Sequence, residues 1–265
     1  MKILILSALQ SEIDSLITLY KPLIIMEGKK HLLLEKNIEK HTLYFGITGV
    51  GEKNVRRFFK AYSPLNIKAD LVISTGYAGA INESLKVGDI VIADKILCNK
   101  TGEWHTVDAT EMFGMFHFDC SERSRPFTTW NGQIVKLYQK ACTVNKILLR
   151  DEKKQLKEKY NQIDFIDMES VEIATFCKNN KLNFIIIRSI SDTVNFEFPD
   201  MEFIKDSWSK INFSRFIPYV FNNPVNLYKI FHLRWNLFSA KKSLARILRK
   251  RLKSIYPIKK YRMKF

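Results

Sequence analysis

The stretch IIIRSISDTVNF, residues 185–196, begins as the inside of a protein and then places Arg188 and Asp192 within five residues of its three isoleucines. A carboxyl group at the rim of an apolar strand loses water on burial. That favours its protonated form and suits it to donating a proton near neutrality. The plainer role for Asp192 is to cap a following helix. Four other places set chemistry-capable groups against apolar runs: Glu12 behind KILILS, Thr48 within GITGVG, the segment Gly76, Tyr77, Ala78 and Gly79 behind LVIST, and Met168 with Glu169 in IDMES. The amides of TGVG and the Thr48 hydroxyl could meet an anion. Glu169 could instead open a helix whose dipole its charge complements, and the glycines could be tight turns. Taken singly, each is explained as well by a cap or a turn; convergence on one sheet edge would make a site.

The elements that would bring them together are short. KILILS, TLYFGI, DLVISTG, DIVIAD and NFIIIRSISD read as strands, each apolar on both faces. They alternate with amphipathic helical stretches such as QSEIDSLITLY, VRRFFKAY, DEKKQLKEKY and VEIATFCKNN. That alternation predicts an α/β fold of three layers, with a mixed, mostly parallel central sheet covered by helices on both sides. In such sheets ligands collect at the carboxyl ends of the strands, where Glu12, the Gly76–Gly79 segment, Glu169 and Asp192 all fall.

The charge distribution divides the chain of 265 residues. Its formal net charge is +16, but 15 of its 43 basic residues and none of its 27 acidic ones lie from residue 207 onward, leaving a nearly neutral main segment. The expected division is a catalytic domain over 1–220 and a basic amphipathic extension over 221–265. A composition that is 46% hydrophobic and 12% aromatic excludes disorder. Cys98, Cys120, Cys142 and Cys177 are too widely spaced for a metal or redox motif and read as reduced thiols. MKILILSAL has some features of a signal peptide, but Glu12 and Asp14 follow at once, so it reads as a first strand. The expected setting is cytoplasmic, with attachment at the inner-membrane surface at most.

Read together, ILSALQSE, GITGVG, STGYAGAINESLKVGDIVIAD, IDMES and IRSISD resemble the purine nucleoside phosphorylase superfamily. Within it the methylthioadenosine/S-adenosylhomocysteine nucleosidases are the well-understood likeness, over residues 1 to about 205. The resemblance implies cleavage of the N-glycosidic bond of an adenine nucleoside, releasing adenine. Asp192 would protonate purine N7, Glu169 would hold the ribose 2′ and 3′ hydroxyls, and Met168 would pack beneath the sugar. Glu12 would orient and deprotonate water, with Arg188 near the nucleophile. In the phosphorylases phosphate takes the place of that water as co-substrate, and Arg188 and Thr48 could receive it. Gly76, Ala78 and Gly79 would run close to the ligand. Tyr77 stands where nucleosidases usually carry a small hydroxyl residue, which alters the nucleophile pocket or the 5′ side. In GEWHTVDATEMFGMFHF, His105 and Asp108 match a loop that covers substrate or joins subunits, which implies a homodimer. Neither a metal nor another cofactor is implied.

The extension holds Leu227, Phe231, Phe238, Ala245, Leu248, Leu252 and Ile255 at helical spacing among lysines and arginines. It predicts a basic amphipathic helix, or two with a break, that packs on the domain or meets anionic lipid. Nucleic acid is not expected, because the chain carries no recognised nucleic-acid module. NPVNL…LARIL, the FP at 198–199 and DEKKQLKEKYNQIDFIDMES look like the hopanoid-associated phosphorylases, which act on an adenosyl lipid. That would explain both a membrane-facing tail and an enlarged 5′ pocket. Two other readings stand beside it: a soluble methylthioadenosine/S-adenosylhomocysteine nucleosidase whose tail merely packs, and an inactive nucleoside-binding module with a membrane- or RNA-binding tail. Glu12, Glu169 and Asp192 together argue against the inactive module, since a binder needs neither a water activator nor an acid.

Overall fold

The computed structural model of the chain describes residues 1–39, 41–107, 127–130, 133–199 and 224–255. Asp108, Cys120 and most of the loop after His105 lie outside them. The described residues form an eleven-stranded sheet. Its centre is β1 (Lys2–Ser7), flanked by β4 (His41–Ile47) and β5 (Leu71–Ala80), both parallel to it. On one side β4 continues antiparallel into β3 (Leu32–Ile38) and then β2 (Leu23–Glu27). On the other, β5 pairs with β11 (Asn183–Asp192), then β6 (Ile90–Cys98), β9 (Gln133–Thr143) and β10 (Phe165–Asp167). β10 returns to pair with β5, so these five strands close on themselves. Two short strands, β7 (Trp104–Thr106) and β8 (Phe127–Trp130), pair with β6 and β9.

The sheet is more mixed than expected. Among the described residues six of the eleven strand pairings are antiparallel. The reason lies in the hairpin β2–β3–β4 and in β6, which runs against β11 instead of with it. The inner strands are as apolar as their sequences require: every residue of β11 after Asn183 is buried, as are Ile3 to Ser7 of β1.

Helices cover this sheet in pairs. α2 (Glu52–Tyr62) meets α4 (Ser170–Asn179) through Phe59 and Phe176, whose rings stack at 3.6 Å between centroids. α1 (Gln10–Tyr20) packs beside α5 (Pro224–Ile255). α3 (Arg150–Lys159) enters the β9–β10 connection. Ala240, Leu244, Ile247, Leu248 and Leu252 of α5 are buried, and all but Ala240 belong to the main core cluster with β5 and β11. The apolar stripe read from the extension thus divides between two faces: Leu248 and Leu252 point inward, while Phe231 and Phe238 are exposed. Cys98, Cys142 and Cys177 are buried and unbridged.

Candidate active site

The carboxyl ends of β1, β5, β9, β10 and β11, with the loop after β4, surround a cavity of about 420 Å³. Tyr77, Ala78, Gly79, Glu12, Met168, Glu169 and Asp192 all line it. Each is set there by a local feature of the chain.

Glu12 occupies the third position of α1, directly after β1. Its Oε2 accepts the Leu9 amide at 2.9 Å and its Oε1 the Tyr77 amide at 3.0 Å. The carboxylate therefore ties the first helix to the end of β5, a reciprocal cap that also aims it into the cavity. A side chain at Gly76 would bring Cβ within 2.9 Å of Oε1, so glycine there makes room for the acid. Burial raises the Glu12 pKa, while the two amides and Arg188 pull it back.

Glu169 is the N-cap residue of α4 and accepts the Gly51 amide at 2.8 Å. Burial, aided by the negative charge of Asp167, pushes its pKa up to about 7 against the opposing pull of Arg188. Met168, half-buried, borders the same space beside Gly51. The helix-start reading and the ligand-facing reading of Glu169 coincide here.

Asp192 ends β11 at a register shift against β5. The residues after it form a turn, so the helix it was expected to cap is absent from the described residues. Its surroundings are not the apolar pocket that the strand suggested. Oδ1 accepts the Ser191 hydroxyl at 2.6 Å, and Oδ2 forms an ion pair with Lys153 of α3. Lys153 is fully buried, donates also to the Thr193 carbonyl at 2.9 Å, and lies 5.7 Å from the centroid of the Phe198 ring. Gly79 permits this pairing: a Cβ there would lie 2.8 Å from Asp192 Oδ2 and 3.4 Å from the Lys153 ammonium.

Lys153 is the residue that sequence reasoning missed. DEKKQLKEKY reads as a charged amphipathic helix, and Lys153 is one of its four lysines. The available signal was spacing: Lys153 shares a helix face with Leu156 and Tyr160, where an apolar residue would be expected.

Four expected residues do not line the cavity, and the first is Gly76, whose open side is taken by the Glu12 carboxylate. Arg188 sits behind its wall, donating to Asp167 at 3.1 Å, Ser74 at 3.0 Å and Ser170 at 2.9 Å. Asp167 consumes the fork, so Arg188 acts on Glu12 and Glu169 through its field and does not face a nucleophile. The Thr48 hydroxyl is turned to the carbonyls of Ser7 and Gly49, at 3.3 and 2.9 Å. His105 lies on β7 at the edge of β6, its pKa lowered by burial and by nearby Lys178. Tyr77 gives its amide to Glu12, while its phenol is hydrogen-bonded with Ser11 at the cavity wall and has its pKa raised by burial. Among the described residues no group of three His, Cys, Asp or Glu side chains is placed to hold a metal ion.

The remaining lining is mostly apolar, with Leu9, Val50, Ile147, Leu148, Ile166 and Phe198 prominent, interrupted by Ser11, Lys146 and Asp167. Leu237, Phe238 and Lys241 of α5 complete one wall. The arrangement offers a proton acceptor at Glu12, a hydrogen-bonding carboxyl at Glu169 and a carboxylate backed by a cation at Asp192.

Residues 2–211 match the sequence pattern of the phosphorylase superfamily. The chain belongs to this superfamily. Among curated members, the 5′-methylthioadenosine/S-adenosylhomocysteine nucleosidase of Staphylococcus aureus strain RF122 is 29% identical over 143 aligned positions, in an alignment that covers 49% of this chain and 60% of the relative. The aligned segment thus spans about three-fifths of the length of the curated relatives it matches. Solved structures of superfamily members share the fold. The Neisseria meningitidis nucleosidase in complex with methylthio-immucillin-A superposes with a TM-score of 0.69 at 17% identity, over 96% of this chain and 99% of that one. The Streptococcus pyogenes S-adenosylhomocysteine nucleosidase in complex with 5-methylthiotubericidin gives 0.66 at 20% identity, over 96% and 97%.

Proposed function

We propose that this phosphorylase-superfamily member hydrolyses the N-glycosidic bond of an adenine nucleoside carrying a 5′-thio substituent, methylthioadenosine or S-adenosylhomocysteine, and releases adenine. The observation that carries the reading is the presence of Glu12, Glu169 and Asp192, all buried, around one otherwise largely apolar cavity. In a water-poor site a base, a sugar-binding carboxyl and an acid act with little competition from solvent.

In this reading Glu12, fixed by two backbone amides, takes a proton from water as its oxygen attacks C1′. The C1′–N9 bond breaks and its electron pair passes to the purine. Asp192 gives a proton to N7, so that neutral adenine leaves. Lys153, bonded to the other oxygen of Asp192, supplies that proton in turn. Glu169 and Met168 hold the ribose. Water is preferred to phosphate because Arg188 and Thr48, the groups expected to receive an anion, are both engaged elsewhere.

A second reading, an adenosyl lipid of hopanoid type, is favoured by one observation: Leu237 and Phe238 give the cavity an apolar wall made by the C-terminal helix. Peripheral attachment at the inner membrane goes with that reading. A homodimer belongs to the proposal as well, to be measured by sedimentation equilibrium.

The test is to incubate the full chain with methylthioadenosine, S-adenosylhomocysteine and an adenosyl lipid, with and without phosphate, and to quantify adenine and the sugar product. Adenine from the thio-nucleosides without phosphate is the expected result. No adenine from any substrate would overturn the proposal. A strict phosphate requirement would replace water as the nucleophile.

A further inference from the structure

Apart from Phe238, which also lines the cavity, the outward face of α5 is used by nothing in the catalytic reading. Tyr228, Phe231, Trp235 and Phe238 are 68, 62, 69 and 60% exposed. At 100° per residue these four side chains fall within an arc of about 80°. Lys242, Arg246 and Arg249 continue the same arc toward the C-terminus. Asn236, Ala240, Leu244, Ile247 and Leu248, on the opposite side, are buried in the protein. A single exposed aromatic is ordinary, but four in one stripe are a contiguous apolar patch and call for an occupant.

Charge decides which occupant. No Asp or Glu occurs from residue 207 onward. Two acids that flank the face are already paired, Glu197 with Lys229 at 2.9 Å and Asp14 with Lys241 at 3.0 Å. A second copy presenting this face would bring no acid to Lys242, Arg246 and Arg249. An anionic bilayer serves both halves: aromatic side chains insert at the headgroup boundary while lysines and arginines meet the lipid phosphates. Among the described residues no helix is long and apolar enough to cross a membrane, so any association through α5 is with the surface.

We infer that α5 docks this protein on anionic phospholipid surfaces through Tyr228, Phe231, Trp235 and the Lys242–Arg249 cluster, with the wall of the nucleoside cavity set against the bilayer. The geometric link is Phe238 and Lys241. They line the cavity and also a groove of about 630 Å³ with Ser15, Lys242, Ala245, Arg246, Arg249 and Lys250. Docking therefore places the cavity beside the lipid headgroups, where a nucleoside with an apolar 5′ tail would present its sugar and base. The docking itself does not depend on which nucleoside is cleaved.

The test uses the full chain and two kinds of vesicle, phosphatidylcholine alone and phosphatidylcholine with phosphatidylglycerol in equal parts. Co-sedimentation with the anionic vesicles only is expected. It should weaken as salt rises and be accompanied by a blue shift of tryptophan emission that Trp235→Phe removes. The triple variant Lys242→Gln, Arg246→Gln, Arg249→Gln should lower partitioning on the order of a hundredfold, the factor that three near-surface cations supply. Tyr228→Ser, Phe231→Ser, Trp235→Ser should abolish insertion while leaving the circular dichroism spectrum and adenine release from soluble substrate unchanged. Absence of binding to anionic vesicles, or binding that survives both triple variants, would overturn the inference. So would loss of self-association in the serine variant, which would make the face an interface between copies, or preferential capture of RNA by the cationic half.

Discussion

Replacing Lys153 by methionine keeps its volume and removes its charge. In the native protein Lys153 is fully buried against Asp192 and the Thr193 carbonyl. Taking away one partner of such a pair leaves an uncompensated buried carboxylate and costs about 3–5 kcal/mol if that carboxylate stays ionised. A domain with about 5–15 kcal/mol of stability survives that loss, so the variant should fold with a lowered urea midpoint. Without Lys153 the proton given to the purine has no ammonium behind it, and adenine release should fall by the 10²- to 10⁴-fold that a general acid contributes.

The assay is kcat/KM for adenine release. It should be paired with a riboside of p-nitrophenol, whose departure needs no proton at a purine nitrogen. On that substrate the native and variant values should coincide. In an Asp192→Asn background, Lys153→Met should add little further loss, since Lys153 acts through Asp192. Unchanged adenine release in the single variant would refute the reasoning. An equal loss on both substrates would show that Lys153 only supports the fold.

Four further outcomes follow from the same geometry. Glu12→Gln keeps an acceptor oxygen for only one of the Leu9 and Tyr77 amides, sets its NH2 against the other and no longer accepts a proton; hydrolysis should drop by at least the 10²- to 10⁴-fold of a general base while substrate binding, followed by calorimetry, is retained. Glu169→Gln should be more stable than the native protein at pH 8 but not at pH 5. The native Glu169 pKa is raised to about 7, so its ionisation destabilises the fold progressively as pH rises from the unfolded value through 7, by at most ~3 kcal/mol, and urea unfolding at both pH values measures it. Gly79→Ala places a Cβ 2.8 Å from Asp192 Oδ2 and 3.2 Å from Ile166; it should separate Asp192 from Lys153 and lose activity at an overpacking cost of about 1–3 kcal/mol in thermal unfolding. Arg188→Met removes the cation that lowers both Glu12 and Glu169, so the acid limb of the rate profile should move to higher pH, and an unchanged limb would exclude its action through the field.

The parts of this site that were legible in the sequence are those that local chemistry dictates. An apolar strand must end, and a carboxylate just past its end points to the carboxyl edge of the sheet; Glu12, Glu169 and Asp192 each follow that rule. Glycines at 76 and 79 signal a close approach, which the structure resolves into the space for Glu12 and for the Asp192–Lys153 pair. The misread residues depended on partners distant in sequence. Arg188 sits four residues before Asp192 on the same strand, but Asp167 from β10 claims its guanidinium. Lys153 belongs to a helix whose composition says solvent, and only the placement of α3 against the end of β11 buries it. The antiparallel course of β6 beside β11 has no local signature, because a strand buried on both faces has the same composition in either direction. In α5 the apolar residues occupy two faces, aliphatic inward and aromatic outward, and spacing alone merges them.

The placement of cations explains how three carboxyl groups in one cavity can take different parts. Four buried carboxylates line it, counting Asp167, against two buried cations at its edge, Arg188 and Lys153. Lys153 is committed to Asp192 and Arg188 to Asp167. Glu12 and Glu169 are left with backbone amides as their direct partners, and burial raises both. A base is most useful when its pKa approaches the working pH; the amides that fix Glu12 in direction also lower its pKa, but burial outweighs them and the net shift is upward. Asp192 needs a proton to give away, and the lysine beside it carries one. The same burial thus prepares a base at one end of the cavity and an acid at the other because only one end holds a directly bonded ammonium, and exchanging that single partner should exchange the roles the two carboxylates can play.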